Sequence, residues 1–92
     1  MAQAGYDVQL KPAAERDLKR IKEKAALRRL ARAIDGLATN PRPAGARVLK
    51  GDDGSILRIR VGDYRILYTI EDAALVVLVI HVAHRRDVYR RR

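Results

Sequence analysis

Apolar and polar residues alternate over residues 6–10 (Tyr-Asp-Val-Gln-Leu), the period of a strand with one buried face. Pro12 then stands where a helix can begin without wasting a backbone donor. Ala14, Leu18 and Ile21 recur at helical spacing, while Arg16, Lys19, Arg20 and Lys22 point elsewhere. Over residues 22–26 the apolar phase slips, and a second series runs through Leu27, Leu30, Ile34 and Leu37. Two helices and one kinked helix fit that pattern equally well. The segment Thr39-Asn40-Pro41-Arg42-Pro43 stops helix propagation, because proline lacks a donor and disfavours helical geometry in the residue before it.

The remainder reads as sheet. Val48 and Leu49 form a brief extended segment before the polar turn cluster Gly51-Asp52-Asp53-Gly54. Residues 56–61 and 64–70 are β-rich runs separated by Gly62-Asp63, a pair suited to a two-residue hairpin loop whose first position needs positive φ. Glu71-Asp72 marks another turn, and residues 75–82 are nearly all apolar, as in a central strand covered on both faces. The order is strand, two helices as a helical hairpin, then an antiparallel β-meander. The expected fold class is α+β, with the helices packed on one face of a four- to five-stranded sheet.

With 48% apolar residues in 92, the chain is rich enough in core formers to fold as one small domain over residues 1–92, with residues 85–92 as a basic C-terminal tail. A domain of this size buries roughly 60–65% of its unfolded surface, so a partner that adds to its core would stabilise it. The longest apolar run, residues 73–83 interrupted by His81, is about half the roughly 20 residues of a membrane-spanning helix. Residues 1–5 lack the basic and apolar regions of a secretory signal, so a cytoplasmic protein without a membrane partner is expected. The chain has no cysteine and two histidines, which leaves no metal or other cofactor expected. A net charge of +9 implies an anionic partner: nucleic acid, an acidic membrane surface or an acidic protein.

The hairpin parity narrows that choice. A two-residue loop at Gly62-Asp63 sets Val61 opposite Tyr64, Arg60 opposite Arg65, Ile59 opposite Ile66 and Arg58 opposite Leu67. Leu57, Ile59, Val61, Tyr64, Ile66 and Tyr68 then share the face toward the helices, and Arg58, Arg60 and Arg65 share the other. A single strand arginine merely keeps an outer face wet. Three on one patch, with two directly opposed at a cost of a few tenths to about 1 kcal/mol, fit a receptor for phosphate.

The segment from His84 to Arg92 leaves one end of the sheet with five further arginines and Tyr89, whose ring suits base stacking or, among cations, proton transfer. Its plain alternative is a solvated basic tail. His84 and Arg86 could contact RNA, as could Lys50 beside its glycine turn. His81, inside the apolar strand, reads as a buried, hydrogen-bonded core residue, and Arg28, Arg29 and Arg32 as a solvated helix face.

The ordered set Val48-Leu49-Lys50-Gly51, then Leu57-Arg58-Ile59-Arg60-Val61-Gly62-Asp63-Tyr64-Arg65-Ile66-Leu67-Tyr68, then His84-Arg85-Arg86-Asp87-Val88-Tyr89 resembles the RelE branch of the RelE/ParE toxin superfamily over nearly the whole chain. The resemblance implies the RelE-like microbial RNase fold and a ribosome-dependent endoribonuclease, an mRNA interferase that cuts messenger RNA in the ribosomal A site. It also implies a cognate RelB-like antitoxin, with any DNA contact made through the antitoxin complex. In such enzymes the 2′-hydroxyl of the RNA attacks the neighbouring phosphate without a metal, leaving a cyclic phosphate and a free 5′-hydroxyl. Carried over by position, Arg58, Arg60 and Arg65 would bind the scissile phosphate, Arg85 would stabilise or protonate the leaving oxygen, and Tyr89 would stack a base or act as the general base. Familiar members carry lysine where this chain has Arg58 and Arg60. Arginine holds its proton too tightly to be an ordinary base, so abstraction falls to Tyr89, His84 or water. The competing readings are a ParE-like inhibitor of DNA gyrase without enzymatic activity and a nucleic-acid-binding module without catalysis.

Overall fold

The computed structural model describes residues 5–49 and 55–86 of the chain. In chain order its elements are β1 (Asp7–Leu10), α1 (Pro12–Arg20), α2 (Lys24–Gly36), β2 (Arg47–Val48), β3 (Leu57–Val61), β4 (Tyr64–Glu71) and β5 (Val76–His84). The phase slip after Ile21 is a break between two helices: Ile21 and Glu23 are both extended, with ψ of 121° and 112°. Pro12 opens α1, and Lys19 and Arg20 lie in its last turn, where the helix dipole favours cations.

The strands form one five-stranded sheet in the order β1-β5-β4-β3-β2. The expected meander accounts for the antiparallel pairs from β2 to β5, whereas β1 joins β5 in parallel, so the sheet is mixed. Both helices pack on one face. Ala14 of α1 and Leu30, Ile34 and, just past its end, Leu37 of α2 meet Ile59, Ile66, Tyr68, Val77, Val79 and Val82 in a continuous core. Seven of these residues, of which Tyr68 is the largest, are fully buried. Replacing one such residue, Leu30, with alanine would cost about 2–5 kcal/mol.

One irregularity shapes β5. Leu67 lies opposite His81 and Tyr68 opposite Val79, so Ile80 is an extra residue and the strand bulges there. The bulge resets the parity, and both Val79 and Val82 face the core. β1 ends opposite Val79, which leaves the next stretch of that β5 edge without a strand neighbour among the described residues; Asp17 of α1 accepts the Val82 N–H there at 2.9 Å.

Two sequence expectations need correction. His81 is not a core residue: it sits at the bulge, half-buried, with Nδ1 3.1 Å from Asp17 Oδ2. Nor is β5 covered on both faces among the described residues. Val76 and Leu78 stay half-buried on the side away from the helices, shielded by neighbouring strands rather than by a second layer.

Candidate functional site

The arginine face follows directly from the hairpin. Gly62 adopts φ of 61°, the left-handed conformation its loop requires, and the register sets Arg58 opposite Leu67 and Arg60 opposite Arg65. Arg58 and Arg60 are two residues apart on β3 and therefore share a face. The two-residue strand β2 adds a fourth cation, because Arg47 stands directly opposite Arg58.

This crowding is visible in the electrostatics of Arg58. Partial burial, then the charges of Arg65, Arg60 and Arg47, all hold its pKa below the ordinary guanidinium value. Among the described residues, Arg47, Arg58, Arg60 and Arg65 form no ion pair with a carboxylate. Arg47 instead donates through Nη1 to the carbonyls of Ala46 (3.0 Å) and Ala44 (3.3 Å), which turns it back on its own loop. A patch of like charges without counter-charges among the described residues is poised to gain from any anion that binds there.

Arg85 joins from the end of β5. Its backbone N–H donates to the carbonyl of Asp63 at 2.7 Å, and its Nη1 lies 3.8 Å from Asp63 Oδ1. Together Arg60, Arg65 and Arg85, with Asp63 and Tyr64, line a cleft of about 240 Å³ at the hairpin tip. A larger groove of about 670 Å³ runs from α2 along the edge of β3, where Arg47, Arg58 and Arg60 form its basic side and Ala33, Leu37 and Ile59 its apolar side.

The other proposed contacts fall differently. His84 faces the helix side, with its ring edge-on to Tyr64 at 5.1 Å and 87°, and does not line the arginine cleft. Its Nδ1 accepts the Arg86 backbone N–H at 3.1 Å, so the proton of the neutral ring rests on Nε2 and His84 presents a donor rather than a base. Arg86 is exposed beside Arg85. Lys50 and Tyr89 lie outside the described residues.

Sequence reasoning missed two participants. Arg47 escaped because its partner across the ladder depends on the connection between β2 and β3, whose register no turn motif specifies. Arg29, read as part of a solvated helix face, reaches the hairpin: its Nη2 lies 3.7 Å from the point a Cβ on Gly62 would occupy.

No group of three or more His, Asp or Glu side chains suited to a metal ion occurs among the described residues, and no described helix is long and apolar enough to cross a membrane.

The chain matches the family model of the ParE toxin of type II toxin–antitoxin systems over residues 8–89. It is 36% identical over 85 residues to toxin RelE of Mycobacterium tuberculosis, covering 92% of this chain and 87% of that protein. It is 31% identical over 86 residues to toxin RelG of the same organism, covering 94% and 98%. One chain of the RelBE2 toxin–antitoxin complex of M. tuberculosis superposes with a TM-score of 0.76 at 27% identity, over 88% of this chain and 99% of that one. The sheet order, the helical layer and these matches agree that the chain belongs to the RelE/ParE superfamily and is a RelE-like toxin of a type II toxin–antitoxin system.

Proposed function

We propose that this toxin is an endoribonuclease that cuts messenger RNA in the ribosomal A site, and that a RelB-like antitoxin holds it inactive in the cytoplasm. The observation that carries this reading is the set of guanidinium groups on one sheet face, with Arg60 opposed to Arg65 and no carboxylate paired to either among the described residues. Like charges opposed on a ladder oppose folding, so their retention fits a site for a group of opposite charge.

In the proposed reaction the 2′-oxygen bonds to the adjacent phosphorus, the bond from phosphorus to the 5′-oxygen breaks, and a 2′,3′-cyclic phosphate and a 5′-hydroxyl result. Arg58, Arg60 and Arg65 stabilise the extra negative charge of the pentacoordinate phosphorane, the role a metal ion takes in other nucleases. Arg85, which lines the cleft, stabilises the charge on the leaving 5′-oxygen, and that oxygen takes a proton from water to become the 5′-hydroxyl. With His84 turned away and acting as a donor, the 2′-hydroxyl proton passes to the phenolate form of Tyr89 or to water. The antitoxin partnership rests on the superposed chain, which was solved within a toxin–antitoxin complex.

The matching family model is that of ParE, and this favours one competing reading, inhibition of DNA gyrase. Purified toxin incubated with programmed ribosomes, with the messenger ends mapped, and a parallel gyrase supercoiling assay separate the two. Cleavage within the A-site codon is the expected result. Blocked supercoiling with intact messenger would establish the gyrase reading in its place.

A further inference from the structure

A second cleft, about 320 Å³, opens on the helix side of the hairpin. Its origin lies in the break between the helices. The extended Ile21 and Glu23 carry the chain past the end of β5 and present Lys22 there, exposed, two residues after Arg20 closes α1. Ile21, Arg20 and Lys22 form one wall, and the edge-to-face rings of Tyr64 and His84 form the other.

The charges in this cleft are unbalanced. Asp17, which also borders it, accepts the Val82 N–H and faces His81 Nδ1 through the same Oδ2. Its other oxygen is 4.0 Å from Arg20, whose side chain is 77% exposed. Lys22 has no ion pair among the described residues. Two cations therefore stand beside an aromatic pair, against the single carboxylate of Asp17 that lines the cleft among the described residues. That is the combination single-stranded nucleic acid uses: phosphate on the cations and base against the rings.

Position gives the cleft its meaning. Tyr64 borders both this cleft and the one formed by Arg60, Arg65 and Arg85. The two clefts lie on opposite faces of the hairpin and adjoin at Tyr64, so a strand whose phosphate sits on those arginines reaches the second cleft by turning around that residue. The volume is near the lower end of the roughly 300–1,000 Å³ typical of small-ligand sites, enough for one nucleotide and not for a longer stretch.

We propose that this cleft is a subsite for the nucleotide adjoining the scissile one on the same RNA strand, with its base against Tyr64 and His84 and its phosphate on Arg20 and Lys22. The proposal rests on the RNA-cleavage reading for its place in the reaction, but binding tests it without cleavage. The probe is a 2′-O-methyl RNA pentamer, which lacks the attacking hydroxyl. Its affinity is measured against salt concentration for the wild type, for Arg20→Ala/Lys22→Ala, and for Arg28→Ala/Arg32→Ala, which removes the same charge from the exposed face of α2.

The cleft variant is expected to bind about tenfold more weakly and to lose about one unit of salt slope beyond the control. The His84 ring resonances of the wild type should shift on titration. Equal losses in both variants, or a His84 ring that does not respond, would overturn the subsite, as would failure of the pentamer to bind. If the cleft signature appears but RNA bearing its 2′-hydroxyl stays intact on ribosomes, the subsite stands and the cleavage reading falls. If the wild type cleaves and the cleft variant matches the control in affinity, the reverse holds.

Discussion

Arg60 on β3 stands directly opposite Arg65 on β4, two residues from the tip of the hairpin. Nothing in the packing rewards that pairing, and it weakens the ladder by a few tenths to about 1 kcal/mol. Arg65→Ala should therefore leave the melting temperature unchanged or slightly raised. In the same variant, messenger cleavage on ribosomes should fall about 10²–10³-fold through loss of one charge-stabilising donor, and growth inhibition should disappear. Retained toxicity in a folded Arg65→Ala protein would remove that residue from the site.

Asp63 is the one carboxylate near the arginine cleft among the described residues, 3.8 Å from Arg85, and both side chains are largely exposed. An exposed pair at that distance adds little stability but subtracts from the field that an incoming phosphate meets. Asp63→Asn should leave thermal stability within about 0.5 kcal/mol of the wild type, as is usual for surface changes. It should also tighten RNA binding, chiefly through faster association, at low salt. The backbone hydrogen bond from Arg85 to Asp63 survives the change, so Arg85 keeps its place. Weaker binding by this variant would show instead that the carboxylate orients the guanidinium.

The fold and the arginine face were legible to different depths, for physical reasons. A period of two and a loop of fixed length determine a hairpin register, so the pairings from Val61–Tyr64 through Arg58–Leu67 followed from residues 57–67 alone. The place of β1 was not legible, because a parallel neighbour is chosen by tertiary packing and leaves no turn signal. His81 misled because alternation along β5 breaks at Ile80, and a bulge has no signature in a run of β-branched residues. His84 was expected near RNA from its neighbours in sequence, but the same reset of parity turns it toward Tyr64 and the helices. Tyr89 and Lys50 lie outside the described residues, and their roles remain those implied by family resemblance.

Tyr68 is fully buried, and its hydroxyl donates to the Pro41 carbonyl at 2.8 Å, tying the loop after α2 to the centre of the sheet. Burial also raises its pKa above the ordinary phenol value. Tyr68→Phe keeps the ring packing and strands a buried acceptor, a loss of about 1–3 kcal/mol. For a domain this size that lowers the melting temperature by about 4–8 °C for each kcal/mol. Because the Tyr68 ring lies in the core, on the face of the sheet opposite Arg60 and Arg65, cleavage by the folded variant should match the wild type below its new transition. An unchanged melting temperature would mean that water satisfies the Pro41 carbonyl as well as the phenol does.

A second tie holds the same loop to the turn between β4 and β5. Arg42 donates to Asp72 through both terminal nitrogens, at 2.8 and 3.3 Å, and the Tyr6 hydroxyl donates to the same carboxylate at 2.7 Å. The hydrogen bonds from Arg42 and then Tyr6 hold the Asp72 pKa below its ordinary 3.8, and the bond to Asp72 raises the Tyr6 phenol above its ordinary 10.0. A depressed carboxyl pKa stabilises the fold above the unfolded value, and that contribution is lost as pH falls through the folded one. A raised phenol pKa stabilises it below the unfolded value, and that contribution is lost as pH rises through the folded one. The difference in melting temperature between the wild type and Asp72→Ala should therefore be flat across neutral pH, shrink below about 3.8, and shrink again above about 10. The side chains of Arg42 and Asp72 are 55% and 56% exposed, so the effect is modest and diminishes with added salt. A pH-independent difference would show that Asp72 acts through the geometry of its turn, where its carbonyl accepts the Leu75 N–H, and not through charge.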